Sequence, residues 1–238
     1  MRQSLTGIPG SGAEITASAF WRAAHRCAGK CDERLAEDAA EESFWQARAR
    51  GYDDKSPLAE CAADLIGDLR DLLAGHGHLL EIGAGPGAFT RRLKAGLRRI
   101  TIVEPSAAMR AQFQRLWDGP AIVETLSCKW EEAREIEADV VFGANAFYRI
   151  EDIATALRRM NAAAQYRVAL VQSVGRPHAA PLVAEIDGAA RSCERADALS
   201  AVLSELGIDH NRRDYDVRRP DGPSRAALID WAPRMLPD

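Results

Sequence analysis

No apolar run in the sequence approaches the roughly 20 residues that a membrane-spanning helix requires. The first residues, 1–6, also lack the apolar core of a secretion signal. Neither sign of charge dominates, since 31 Lys and Arg face 35 Asp and Glu for a net charge of −4. That balance gives no basis for binding nucleic acid through bulk charge. We therefore expect a cytoplasmic protein without a membrane or nucleic-acid partner.

Cysteine is scarce and its count is odd, which argues against a disulfide framework. Among the five cysteines, Cys27 and Cys31 have His25 nearby and would share one face of a helix. A structural zinc site normally needs four ligands, and no second pair has metal-ligand spacing. The prediction is free cysteines packed as small apolar side chains, with no metal site.

The length of 238 residues suits one large α/β domain with appended helices. Residues 1–75 are predicted to form an N-terminal helical extension, because residues 13–51 and 58–73 carry apolar side chains at helical spacing. The second of these helices should begin with Ser56 as its N-cap and Pro57 as its first residue. Residues 76–238 alternate strand and helix patterns, and we expect both units to form one globular body.

Short apolar and β-branched runs predict the strands of a parallel sheet. These strands cover residues 78–82, 99–103, 121–126, 138–144 and 167–174, the last as a core strand. A further helix is predicted over 179–206, and residues 208–219 are compatible with an antiparallel edge strand. No convincing final strand follows, so the C-terminal sheet edge is either shortened or completed by a partner, as in a homodimer through this edge.

The most informative stretch is residues 79–89, where two leucines lead into Glu81 and then into glycines at alternate positions. Gly83, Gly85 and Gly87 let the backbone adopt positive φ and approach a ligand closely. The helix that follows presents unpaired N–H groups at its start. Strand, glycine turn and helix together are typical of the nucleotide-binding corner of a doubly wound sheet.

A second acid, Glu104, follows the strand predicted over 99–103. A carboxylate at the end of the second strand accepts two hydrogen bonds from a ribose diol in this kind of fold. Taken alone, Glu104 would be interpreted as a solvated loop acid. Its combination with Glu81 and the glycines favours the ribose role.

Together these residues resemble the class I S-adenosylmethionine (SAM)-dependent methyltransferases, whose first motif is E/D-x-G-x-G-x-G. Glu81, Gly83, Gly85 and Gly87 match it without a gap, and Glu104 matches the second motif. The resemblance covers roughly residues 44–174. It implies SAM as cofactor, S-adenosylhomocysteine (SAH) as product, and a doubly wound, mostly parallel Rossmann-like sheet with helices on both faces and an N-terminal helical extension.

The resemblance also implies further cofactor-binding positions. Cys128 stands where the family often has an acid for the adenine amino group, which leaves that contact to backbone groups. Trp130 is either a stacking surface for adenine or a core tryptophan. The complete set of further cofactor positions is Tyr52, Ala84, Pro105, Met109, Cys128, Lys129, Trp130, Asn145 and Ala146.

Acceptor-binding residues are implied in three places. Trp45 and Tyr52 fit a W-x-x-x-A-x-x-Y-D segment that covers the cofactor in many small-molecule methyltransferases, although a core Trp and a surface Tyr fit equally well. The fourth motif, the wall beside the transferable methyl group, contains Phe147, Tyr148 and Arg149. His178 follows the fifth strand and is a candidate acceptor contact or base, although a loop histidine without a role is the favoured interpretation.

The favoured function is methyl transfer from SAM to a small molecule by in-line displacement. Such a reaction needs alignment and exclusion of water more than a dedicated base, so no catalytic residue is predicted. One alternative is a nicotinamide-dependent oxidoreductase, because Gly83, Gly85 and Ala88 also fit the dinucleotide fingerprint. The other is an inactive SAM-binding regulator, suggested by Cys128 and the missing last strand.

Overall fold

A single five-stranded sheet organises the chain in the computed structural model, which describes residues 15–29, 32–56, 58–174 and 195–217. The strands lie in the order β3-β2-β1-β4-β5, and every neighbouring pair is parallel. This confirms the doubly wound sheet, with its switch point between β1 and β4. The strands are β1 His78–Ile82, β2 Arg99–Val103, β3 Ile122–Leu126, β4 Ala138–Ala144 and β5 Ala164–Val171.

Helices precede the sheet and connect its strands. The N-terminal extension contains α1 Ala17–Gly29, α2 Glu33–Ala36, α3 Asp38–Arg48, a 3-10 turn Ala49–Gly51, α4 Tyr52–Lys55, α5 Leu58–Cys61 and α6 Ala63–Leu73. The sheet is accompanied by α7 Thr90–Leu93, α8 Ala107–Leu116, α9 Ile153–Ala163 and α10 Arg195–Glu205. Within the described ranges, no helix combines the length and apolar character of a membrane span.

The central strands are buried on both faces because successive side chains of a strand point to opposite sides. Leu80 faces a core shared with α1, α9 and α10, whereas Leu79 faces a core shared with α5, α6 and α7. Both leucines have no exposed surface. This two-sided burial explains why β1 reads as a nearly continuous apolar run.

The N-terminal extension belongs to the same core as the sheet. Trp21 of α1 is buried, and its indole Nε1 donates a 2.8 Å hydrogen bond to the carbonyl of Ile150. The hydroxyl of Ser18 donates to Glu205 in α10, and α3 packs on α8. Through these contacts the N-terminal extension packs against the sheet domain. The boundary between the two at residue 75 stays a prediction.

The helix predicted from Ser56 to residue 73 is wrong in detail, because α5 and α6 are separate. Ser56 ends α4 by donating its N–H to the Tyr52 carbonyl, and Pro57 lies outside the described residues. Ala62 leaves the helical region with φ −101° and ψ 57°. Ala59 and Ala62 are both buried there, so tertiary packing overrides a periodicity that the sequence alone reads as continuous.

The outer part of the sheet also differs from expectation. β5 begins directly after α9 and starts with exposed residues, so it is not the fully buried strand predicted over 167–174. It is the outermost strand of the described sheet, which leaves its first residues uncovered. Residues 208–217 contain no strand, so the edge strand predicted there is wrong for this stretch. The predicted helix before Arg195 lies outside the described residues, and dimerisation through this edge stays a prediction.

Candidate active site

The glycine turn after β1 forms a backbone cradle. Its three glycines share a positive φ but differ in the space around their Cβ positions. Gly83, Gly85 and Gly87 have φ of 65°, 56° and 79°, values that favour glycine. A Cβ on Gly83 would lie 2.5 Å from the Cβ of Ala146, and one on Gly87 would lie 2.7 Å from the Phe113 ring. A Cβ on Gly85 would meet no atom within 4 Å. Gly83 and Gly87 therefore allow close packing, whereas Gly85 borders open space on the ligand side.

Glu104 ties this turn to the end of β2. Its Oε2 accepts a 2.9 Å hydrogen bond from the Gly85 amide, and its Oε1 accepts one of 2.9 Å from the Ser106 amide. The residue is only 7% exposed, and burial raises the pKa of its carboxyl above the ordinary value. Ser106 in turn caps α8 by accepting from the Met109 amide.

Glu81 lies in β1, directly beneath the same turn, and is 2% exposed. The hydroxyl of Thr90 donates a hydrogen bond to its carboxyl group. Burial raises the pKa of Glu81 to about 8, and the charge of Glu104 acts in the same direction. A cation brought against this carboxyl would stabilise its ionised form. The site therefore suits a ligand that carries a positive group.

The cleft over the turn combines three parts of the chain. The end of β4 contributes Ala144 and Asn145, and the N-terminal extension contributes Tyr52, as the sequence predicts, together with a neighbouring serine and two apolar residues. The residues lining the cleft are Tyr52, Ser56, Leu58, Ala59, Glu81, Gly83, Ala84, Gly85, Ala88, Phe89, Ala144 and Asn145.

Asn145 joins the ends of β4 and β5 and has a positive φ of 51°. Its amide donates to the Val171 carbonyl at 2.8 Å. Its side-chain Oδ1 accepts from Gln172 Nε2 at 3.1 Å and from the Ser173 amide at 2.9 Å. Asn145 thus holds two sheet-edge loops together beside the cleft, and its side-chain oxygen is already used within the protein.

The predicted cofactor residues after β3 lie partly at the surface and partly in the core. Cys128 is half-buried, and burial raises the pKa of its thiol. Lys129 forms a 2.6 Å ion pair with Asp38 of α3. Trp130 is only 4% exposed, and its Nε1 donates to the Ala156 carbonyl at 3.2 Å. This placement corrects the prediction of Trp130 as a stacking surface and favours the core alternative.

Two other predicted positions are also inside the protein. Phe147 has no exposed surface and packs against Gly143, so it does not face the site as predicted. Phe147, which the sequence assigns to the fourth motif, instead belongs to the core that Leu80 faces. Met109 is 2% exposed in α8, whereas Pro105 is exposed beside Glu104.

The N-terminal extension brings the remaining predicted residues together around Glu41. The carboxyl group of Glu41 accepts hydrogen bonds from the Tyr148 hydroxyl, from Trp45 Nε1 at 2.6 Å and from Arg34 Nε at 2.8 Å. Burial and the bond to Glu41 raise the pKa of Tyr148. Trp45 also contacts the Tyr52 ring, with centroids 5.9 Å apart. Glu41 escapes sequence-based prediction because it lies within a run of acidic residues.

Arg149 and His178 complete the predicted acceptor set. Arg149 donates to Asp38 at 2.8 Å, and its Nε is buried without a hydrogen-bond partner. His178 lies outside the described residues. Within the part of the chain that is described, no three His, Cys, Asp or Glu side chains are grouped as metal ligands would be, and Cys27, Cys61 and Cys128 are free thiols.

A protein-family model of a methyltransferase domain matches residues 80–165, which contain the glycine turn and both buried acids. This part of the chain is a class I SAM-dependent methyltransferase domain. SAM is the cofactor of this family, and SAH is its product. The match is with a methyltransferase domain, so it gives no support to the oxidoreductase alternative.

Several solved structures are similar to this methyltransferase. The magnesium protoporphyrin IX methyltransferase (ChlM) from Synechocystis PCC 6803 with bound SAH is 13% identical, with a TM-score of 0.51 over 63% of this chain and 72% of that one. The plantazolicin methyltransferase BpumL in complex with SAH is 11% identical, with a TM-score of 0.50 over 81% and 72%. At these identities the likeness shows the fold alone.

A structure of DhpI with SAH is 26% identical to this chain, with a TM-score of 0.42 over 52% of it. The present chain spans 61% of that DhpI chain. No curated protein sequence matches the methyltransferase significantly. Which of its side chains contact SAM stays a prediction.

Proposed function

We propose that this methyltransferase transfers the methyl group of SAM to a nucleophilic atom of a small-molecule acceptor by in-line displacement. In that reaction the bond from methyl carbon to sulfur breaks, a bond from carbon to the acceptor forms, and sulfur keeps the electron pair as SAH leaves. The observation that carries the proposal is the cradle itself, in which Gly85 opens onto a cleft flanked by the buried acids Glu81 and Glu104.

The residues of this cradle fit SAM by their chemistry. Glu104 is fixed by the Gly85 and Ser106 amides, and its carboxylate retains acceptor capacity for the two ribose hydroxyls. Glu81 would hold the cationic amino group of the methionine part, since that contact stabilises its ionised form. A pyrophosphate offers no cationic group to Glu81, which disfavours a dinucleotide.

The N-terminal extension supports a small acceptor. Tyr52 and Ser56 line the cleft with the glycine turn, and the Trp45 ring contacts Tyr52. Trp45 and Tyr148 both donate hydrogen bonds to Glu41. A covered site of this kind excludes water from the reaction and restricts the size of the acceptor. The residues of the cover align the acceptor, which is the main contribution that this chemistry requires.

Transfer of label tests the proposal directly. Purified protein would be incubated with SAM labelled in its methyl group and with a cell extract separated into low-molecular-weight and macromolecular fractions. We expect label in a compound of the low-molecular-weight fraction, with SAH formed in equal amount. Gly85→Leu is the control, because it blocks the cradle. Label only in protein or nucleic acid, or SAH binding without any transfer, would contradict the proposal.

A further inference from the structure

Helix α3 carries three acids that bind three different loops of the cofactor site. Asp38 pairs with Lys129 after β3 and with Arg149 after β4. Glu41, one turn later, accepts the hydroxyl hydrogen bond of Tyr148, also after β4. Glu42 accepts a 3.0 Å hydrogen bond from the Ala108 amide in the first turn of α8, the helix after β2. One acidic face of α3 therefore contacts the segments that follow β2, β3 and β4.

These hydrogen bonds and ion pairs differ in their exposure to water, which competes for the same polar groups. The Asp38 side chain is 65% exposed, so its ion pairs contribute little to holding the helix. The Glu41 side chain is 8% exposed, and Tyr148 is half-buried. A hydrogen bond to a carboxylate in such surroundings is stronger, and breaking it leaves a buried charge less well satisfied. The Glu41–Tyr148 bond is therefore the principal tie between α3 and the loop after β4.

Movement of α3 would be passed to the cleft through the residues that follow it. We call residues 38–56 the lid segment, because α3 continues through a 3-10 turn into α4, whose Tyr52 lines the cleft. The Trp45 and Tyr52 rings are in contact, and Asp53 pairs with Arg91 behind the glycine turn. The cleft under this segment has a volume of about 50 Å³. Sites for ligands of SAM's size typically measure about 300–1,000 Å³, so the residues around the cleft must rearrange when SAM binds, and movement of the lid segment would widen the cleft.

We infer that Glu41 is a positioning residue that holds the lid segment closed by accepting the Tyr148 hydrogen bond, and that this bond breaks each time SAM enters or SAH leaves. The inference rests on the proposed function, because it takes SAM and SAH as the ligands of the cleft. In this inference the bond joins the lid segment to the sheet in the free protein and forms again once the ligand is enclosed, so its loss increases the open fraction of both forms. Association and dissociation then accelerate together.

Stopped-flow measurement of SAH binding, followed by tryptophan fluorescence, tests this inference. Tyr148→Phe removes one oxygen atom and is the main variant, and Glu41→Gln is the second. Tyr215→Phe is the matched control, because the Tyr215 hydroxyl donates to Asp68 of α6, and neither residue belongs to the lid segment. We expect both rate constants to rise about tenfold in the two lid variants, on the order of one lost charge-assisted hydrogen bond. The dissociation constant should stay nearly unchanged, and the control should match wild type.

A purely structural role would lower the melting temperature without this parallel change in rates. Unchanged rates in Tyr148→Phe, or weaker SAH binding through dissociation alone, would overturn the inference. If Glu41→Gln does not fold, Tyr148→Phe still decides the matter. If wild-type protein binds no SAH, the proposed function fails instead. Hydrogen exchange of the α3 amides without ligand then tests the tie separately, because exchange should be faster in Tyr148→Phe.

Discussion

The amide of Gly85 donates a 2.9 Å hydrogen bond to Oε2 of Glu104, which joins the turn after β1 to the end of β2. The other oxygen of the same carboxyl group holds the Ser106 amide at the start of α8. One buried side chain therefore fixes the relative position of the loop after β1 and the loop after β2. Its replacement should affect ligand binding and local structure together.

Replacing Glu104 with Gln tests this arrangement. Gln keeps one acceptor oxygen, but its NH₂ group faces one of the two amide donors and cannot accept from it. We expect SAH affinity to fall by about 1–3 kcal/mol, as measured by calorimetry. Glu124→Gln is the control, because Glu124 is an exposed β3 residue paired with Arg99. Equal affinities for the Glu104 variant and wild type would refute the ribose assignment.

The open side of Gly85 predicts a selective loss of binding. Gly85→Leu would place a side chain in the space reserved for the ligand and strain a positive φ by about 1–2 kcal/mol. Gly96→Leu is a matched control, since Gly96 has φ 82° and open space around its Cβ position but lies beyond α7. Both variants should lose similar thermal stability, and only Gly85→Leu should lose SAH binding. Retained binding in Gly85→Leu would place the cofactor elsewhere.

Glu81 predicts a defined dependence of stability on pH. Burial raises its pKa from 4.5 to about 8, so between these values the folded protein holds a proton that the unfolded chain releases. The stability from this group is full below pH 4.5 and is lost as pH rises through about 8. Glu81→Gln stays neutral and should lack this part of the slope in urea unfolding across the interval. Parallel wild-type and variant profiles would show that Glu81 is ionised in the folded state.

The same carboxyl predicts proton release on cofactor binding. If the amino group of SAH binds beside Glu81, the carboxyl ionises, and its proton passes to the buffer. Calorimetry at a fixed pH below about 8, repeated in buffers of different ionisation enthalpy, should then show an enthalpy that depends on the buffer. Glu81→Gln should reduce that dependence. An identical dependence in both proteins would exclude Glu81 as the source of the proton.

Trp21 predicts that the N-terminal extension unfolds with the sheet. Trp21→Phe keeps most of the apolar surface but leaves the buried Ile150 carbonyl without its indole donor. This should reduce the free energy of unfolding by about 1–3 kcal/mol in a single transition. Phe20→Leu is the control, because the neighbouring Phe20 is 49% exposed. Two separate transitions would mean that residues 1–75 form an independent domain.

The sequence is most informative where backbone and chemistry are local. The bounds of β1, β2 and β4 are as predicted, because β-branched and apolar runs end at clear turn residues. Glu81 is predictable because it lies near the end of β1, and Glu104 because it directly follows β2. The parallel sheet brings the ends of these two strands side by side. The glycines are predictable because their positive φ values leave few alternatives.

The rest depends on contacts between distant segments. Phe147 and Trp130 carry the same side chains whether they face a ligand or the core, and only packing decides between the two. Glu41 binds Tyr148 across 107 residues of sequence, a pairing that no local spacing reveals. The break between α5 and α6 is equally hidden, since Ala62 has no property that ends a helix.

The measurement that tests the central claim most directly is calorimetric titration of the purified protein with SAH, with NADH titrated in parallel. The cradle of Gly85, Glu81 and Glu104 predicts saturable binding of SAH and none of NADH. Binding of NADH alone, or binding of neither ligand, would contradict the assignment of this site to SAM.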